Sequence, residues 1–122
     1  NVYTFKLSNT GTLPVSYELT IYNNLDGVND NNMLAHKYLK VQFDNDAAVY
    51  LDSLTKVDSS ITDENSVKYI LKTGTMATGV TDETHTIRIW IAEVDSAGVD
   101  TETDIIGKTI GLRVGLNGTV QD

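Results

Sequence analysis

The chain has 122 residues, 40% of them hydrophobic and 21% charged, which suits one folded domain and excludes a disordered tail. Nine basic residues against seventeen acidic ones leave a net charge of −8, which argues against nucleic acid and against an anionic membrane surface, because both need a positive face. No apolar run is long enough for a membrane-spanning helix, so no membrane insertion is expected, and the absence of cysteine removes disulfides, thiolate nucleophiles and zinc–sulfur sites.

Val, Ile and Thr together supply 37 of the 122 residues, and Pro14 is the one proline. Such stiff, β-branched side chains favour a pleated surface over a helix. Residues 2–8 alternate, with Tyr3, Phe5 and Leu7 on one face and Thr4, Lys6 and Ser8 on the other, the pattern of a half-buried strand. Residues 9–12 form a turn in which Gly11 is available for positive φ. Residues 15–22 alternate again, with Val15, Tyr17, Leu19 and Ile21 apolar, so the pair is a hairpin or an inter-sheet corner.

A polar loop follows over residues 23–32, and Asp30 is placed to cap a short helix over 31–37. Residues 38–43 form a strand with Leu39, Val41 and Phe43 inward. Residues 48–51 are a short apolar run, 52–55 a helical turn or loop, and 58–65 a loop. The next strand covers 67–73, ending near Gly74 or running on to Gly79. The strongest strand is 84–93, with Ile87, Ile89 and Ile91 on one face and Thr86, Arg88 and Trp90 on the other. An acidic loop with Gly98 at its middle leads to a second short helix at 103–107. The last strand, 109–117, sets Ile110, Leu112, Val114 and Leu116 against Thr109, Gly111, Arg113 and Gly115. Asn117-Gly118-Thr119 is a turn.

Six or seven strands at this spacing predict an all-β protein: an antiparallel two-sheet sandwich, jelly-roll or Ig-like, with one or two short helices in loops. Residues 1–122 make a single domain. Phe5, Leu7, Tyr17, Leu19, Ile87, Ile89, Ile91, Leu112 and Val114 are expected in the core. Trp90 is expected to contact the second sheet's core rather than to form an exposed patch, and His85 to be a solvated edge residue.

No catalytic motif emerges. His36 and His85 lack a metal-ligand spacing, no Gly-x-Ser-x-Gly elbow exists, and Gly107-Lys108-Thr109 has Glu102 where a phosphate loop needs glycine. Two acidic groups stand out: Asp26, Asp30, Asp44 and Asp46, and then Asp95, Asp100, Glu102 and Asp104. Hard oxygen ligands at this density can hold calcium, but no EF-hand spacing is present and solvated loops are the simpler account. No catalytic, cofactor-binding or metal-ligating residue is therefore assigned, no cofactor is expected, and nothing points to a small-molecule ligand.

One resemblance adds to this. The run Tyr3-Thr4-Phe5-Lys6-Leu7-Ser8-Asn9-Thr10-Gly11-Thr12-Leu13-Pro14-Val15-Ser16-Tyr17 is followed far downstream by Thr84-His85-Thr86-Ile87-Arg88-Ile89-Trp90-Ile91-Ala92-Glu93 and then Gly107-Lys108-Thr109. In that order they resemble the TasA/camelysin group of secreted bacterial surface proteins, whose jelly-roll domains assemble into biofilm-matrix fibres. The middle of the chain, about residues 23–66, has no counterpart. The resemblance implies a secreted, non-catalytic subunit that polymerises with itself by donor-strand complementation. It also implies that a signal peptide and a first strand belong before Asn1, since the chain enters its strand directly. The camelysin name sometimes carries a peptidase assignment, but no His-Glu-x-x-His is present. The alternative is an Ig-like ligand-binding module of a surface adhesin, calcium-dependent or not.

Overall fold

The computed structural model describes residues 1–25, 32–101 and 105–121. Seven strands form: β1 (Val2–Leu7), β2 (Val15–Asn23), β3 (Leu39–Phe43), β4 (Val49–Tyr50), β5 (Lys68–Met76), β6 (Glu83–Ile91) and β7 (Leu112–Val120). They build two antiparallel sheets, ordered β1-β6-β3-β4 and β5-β2-β7. The protein is an all-β two-sheet sandwich. Only β3 and β4 are both consecutive in the chain and neighbours in one sheet. Residues 9–14 are therefore an inter-sheet corner. The Asn9 side chain holds it, donating to the carbonyls of Leu13 and Met76 while its Oδ1 accepts from the Gly11 N–H. Gly11 is not among the positive-φ residues; the side-chain turn at Asn9 shapes the corner instead.

The alternation of β1, β2, β3 and β6 follows the sequence because each has one face toward the other sheet. Leu19, Ile21, Leu39, Val41, Phe43, Tyr69 and Ile87 interlock in the core, with Leu34, Leu51 and Val67. In β5 the period breaks. A bulge opposite Leu19 and Thr20 changes the pairing from Ile70–Thr20 to Lys72–Leu19. Tyr69 stays buried in the core, while Lys72 ends over the Phe43 ring and 2.9 Å from Asp46. Further along β5, the Tyr17 ring covers Gly74, where a Cβ would lie 2.6 Å from ring atoms, so glycine is required there.

Several expectations need correcting. No α-helix forms in the described part of 31–37; a 3-10 turn spans His36–Tyr38, and Met33 instead bridges Thr109. Another 3-10 turn spans Leu51–Ser53. Residues 105–107 are a turn, and residues 26–31 and 102–104 lie outside the described part. Strand β7 starts at Leu112 because Thr109 is held to Asn32 and Gly111 to Asn24. Asn117, Gly118 and Thr119 are not a turn; they pair with Glu18, Tyr17 and Ser16 of β2. Trp90 is 38% exposed on the outer face of its sheet, and Ile91 is 46% exposed because β6 ends there. Of the expected core, Leu7, Leu19 and Ile87 are buried, while Phe5, Tyr17, Ile89, Leu112 and Val114 are half-buried.

These burials set a graded mutational response. Ile87→Ala should cost about 2–5 kcal/mol through lost transfer and cavity formation. Ile91→Ala should cost less than about 0.5 kcal/mol, as for an ordinary surface site. Urea unfolding of both variants checks the ranking.

Candidate functional site

The core is off-centre. One side of the sandwich is closed by the chain between β4 and β5. Val57 donates to the carbonyl of Lys68, Ile70 donates to that of Thr55, and Lys56 bridges Tyr69, so the free edge of β5 is partly covered. The other side ends in β1 of one sheet and β7 of the other, each an outermost strand. Between them runs an apolar seam. Its widest part, about 460 Å³, is lined by Tyr3, Ile87, Ile89, Leu112 and Val114. A narrower part of about 110 Å³ follows beside Leu7, Leu116 and Gly118. A third hollow of about 330 Å³ lies beyond, at Leu13 and Val120. Tyr3, Leu116 and Val120 belong to alternations whose other members reach the core, yet they are 55%, 53% and 56% exposed. Among the described residues, two outermost strands thus flank an exposed apolar stripe.

A charged cluster lies at one end of β1 and β6, with the His85 ring buried and the carboxylates of Asp44 and Glu83 partly exposed. Strand β3 ends at Phe43, and the chain turns through Asp44 with φ of +48°, a left-handed conformation that Asp tolerates. This turn folds the Asp44 carboxylate back onto β6, where Oδ1 accepts from the Thr86 N–H at 2.7 Å. Its Oδ2 lies 2.7 Å from Nδ1 of His85, and Glu83 Oε1 lies 2.7 Å from Nε2. Phe43 and Phe5 flank the imidazole at ring-centroid distances of 5.1 and 5.7 Å. Burial alone would lower the His85 pKa, but hydrogen bonds and charge from Asp44 and Glu83 outweigh it and hold the pKa above the ordinary value. Asp44, which burial would raise, is held low by His85 and the Thr86 N–H. His85 is therefore buried on an interior strand, with two carboxylates favouring its protonated form, and is not a solvated edge residue.

His36 is buried and of the opposite character. Its Nδ1 is 2.8 Å from the Tyr69 hydroxyl and its Nε2 is 2.8 Å from Asn23 Oδ1. Asn23 donates in turn toward the Glu64 carbonyl and Asn65 Oδ1. Burial lowers the His36 pKa and outweighs the charges of Glu64 and Asp52. The consistent arrangement has Tyr69 donating to Nδ1 and Nε2–H donating to Asn23. Burial pushes the Tyr69 hydroxyl up to about 12, which keeps it a donor. Both nitrogens of both histidines are thus engaged, leaving no lone pair for general-base work.

The described members of the two acidic groups are engaged separately. Asp44 serves His85, while Asp46 meets Lys72. Asp95 accepts from the Ala97 and Val99 N–H groups and lies 3.7 Å from Lys37, so it shapes its own turn at Gly98. Asp26, Asp30, Glu102 and Asp104 fall outside the described residues. Among the described residues no group of three or more His, Asp or Glu is placed to hold a metal ion, and no helix is long and apolar enough to cross a membrane. A polar hollow of about 490 Å³ on the outer face of the β5-β2-β7 sheet is lined by Ser16, Glu18, Thr73 and Asn117 and has no second ionisable group beyond Tyr17. The His85 cluster was missed from sequence; Glu83-x-His85 was the one local signal, since period two puts both on one face.

The two histidines give opposite pH dependences. The His85 contribution is complete below about pH 6.5, the unfolded value, and is lost as pH rises through its raised folded pKa. The His36 contribution is present above about pH 6.5 and is lost as pH falls toward its lowered folded pKa. Urea unfolding from pH 4 to 9 should show stability falling on both flanks. His85→Asn should remove the alkaline decline specifically and cost about 1–3 kcal/mol at pH 6, for charged hydrogen bonds that are partly screened.

No family model matches the chain, and neither a curated protein nor a solved structure matches it.

Proposed function

We propose that the protein is a non-catalytic structural subunit of an extracellular surface or matrix fibre, and that a strand from a second copy occupies the seam between β1 and β7. The observation that carries this reading is the seam itself: an apolar stripe of inward-phase side chains left exposed between two outermost strands. An extended segment seated there pairs its backbone with an edge strand and buries alternate side chains against Tyr3, Val114 and Leu116. The driving force is about 25 cal/mol for each Å² of apolar surface removed from water.

A second observation supports the same reading. Of the stretches that resemble the TasA/camelysin group, the two longer ones lie mainly in β1, the corner, β2 and β6, which border the seam or lie beside it, and Gly107-Lys108-Thr109 precedes β7. The unmatched middle of the chain builds the closed side. Secretion and surface location follow from the resemblance and stand or fall with the fibre.

Electron microscopy and size exclusion of the intact protein test the proposal. Assembly should rise with concentration. Leu116→Lys should suppress it, because a buried ammonium in the seam is costly, while the monomer's melting temperature changes by less than about 4 °C. An intact protein that remains monomeric at millimolar concentration would overturn the fibre reading in favour of an Ig-like binding module.

A further inference from the structure

The outer face of the β1-β6-β3-β4 sheet has a composition unlike the rest of the molecule. Cross-strand register defines its rows. Tyr50, Lys40 and Trp90 form one row across β4, β3 and β6. Gln42, Arg88 and Val2 form the next, across β3, β6 and β1. Thr86 and Thr4, then Thr84 and Lys6, complete the face toward the other end. No Asp or Glu occupies any of these positions, although the chain carries seventeen acids. Among the described residues, Lys6, Lys40 and Arg88 take part in no ion pair. The Lys40 ammonium lies 4.9 Å from the Tyr50 ring centroid, so an aromatic ring and a cation already share one surface. Trp90 is the chain's one tryptophan and is 38% exposed beside them.

We infer that this face is a binding platform for an acidic polysaccharide, with Trp90 as the ring on which a sugar stacks and with Lys40 and Arg88 as partners of its carboxylates. The chemistry requires both kinds of group. The flat apolar side of a pyranose ring needs an aromatic plane, and a uronate needs a cation; the guanidinium offers the planar fork that matches a carboxylate. Gln42 and the threonine hydroxyls supply donors and acceptors for ring hydroxyls. Strand geometry places Lys40 directly across from Trp90 and Arg88 two residues along on the same face, within the span of neighbouring sugar units. The net charge of −8 does not defeat this, because charges farther away than about 8 Å are largely screened at physiological salt while the local cations act at contact. A neutral glycan leaves the three cations without a role, and an acidic polypeptide leaves the tryptophan without one. The platform is independent of the seam, which lies on the inner side of the same sheet.

Titration with an oligogalacturonate of ten units tests it, followed by the fluorescence of Trp90. The expected result is a saturable spectral change, at least tenfold weaker affinity for Arg88→Gln and for Lys40→Gln, and weakening as salt rises from 50 to 500 mM. Lys68→Gln removes the same charge from the other sheet and should bind as the parent does. Thermal melting of each variant confirms that it is folded, and calorimetry with Trp90→Leu should show binding lost. Equal affinity for a neutral oligoglucan of the same length overturns the acidic assignment. Equal affinity for polyglutamate overturns the glycan assignment. Absence of a saturable change, or variants that bind like the parent, overturns the platform.

Discussion

A neutral, fully buried imidazole joins the two sheets where the sandwich is closed. His36 enters from the turn that starts β3, while Asn23 and Tyr69 come from β2 and β5 of the opposite sheet. A buried polar side chain is tolerated only when its hydrogen bonds are made, and among the described residues no buried side-chain polar atom lacks a partner. The bonds also fix geometry: one donor and one acceptor, at set directions, determine how β3 sits over β2 and β5. Leu34, Leu51, Tyr38 and Val67, from the segments that flank β3, β4 and β5, belong to the same buried core. Tight closure on one side of two short, twisted sheets leaves the far edges parted, and the seam between β1 and β7 is the consequence.

The His85 cluster works at the other side with the opposite electrostatics. Asp44 and Glu83 both bear on the His85 ring, and the charge of Lys72, from the other sheet, acts with His85 to hold the Asp44 carboxyl low. Phe5 and Phe43 exclude water from the ring, which strengthens the charged hydrogen bonds they flank. Because Phe5 belongs to β1, this cluster anchors an edge strand that has only one sheet neighbour. The bulge in β5 is what brings Lys72 into range; without the slip its side chain would point to the outer face.

Period-two alternation made β1, β2, β3 and β6 legible, and it also separated the two faces of the β1-β6-β3-β4 sheet correctly. It failed where local pattern and tertiary pairing disagree. The bulge at Leu71 inverts the phase of β5, and a bulge carries no distinctive residue here. Asn117-Gly118-Thr119 has turn chemistry, yet pairing with β2 overrides it, helped by the close approach of Val15 to Gly118. Trp90 was placed inside because large apolar side chains usually are; its phase alone, shared with Arg88, argued the reverse. Tyr69, which meets His36, and Asp44, which meets His85, lie 33 and 41 residues away in the chain, so only the fold could reveal those two pairs. The seam has no local signature, because β1 and β7 become outermost strands only through the strand order of the two sheets.

Edge strands invite unwanted pairing, and this protein deals with its four edges unequally. Strand β4 has only two residues, too few to template a partner, and part of β5 is covered by residues 55–57. Strands β1 and β7 receive neither protection, although they are six and nine residues long. A strand added beside β1 would do two things at once. Its inward side chains would enter the seam, and its outward ones would extend the row that begins at Val2, Thr4 and Lys6. Polymerisation would therefore repeat the cationic and aromatic face at regular intervals along a fibre. A long polysaccharide meeting such a row binds its second and later platforms as intramolecular events, so weak single-site affinity becomes strong retention. In the proposed fibre the open edge and the acid-free face would belong to one design, in which assembly would supply the avidity that one platform lacks.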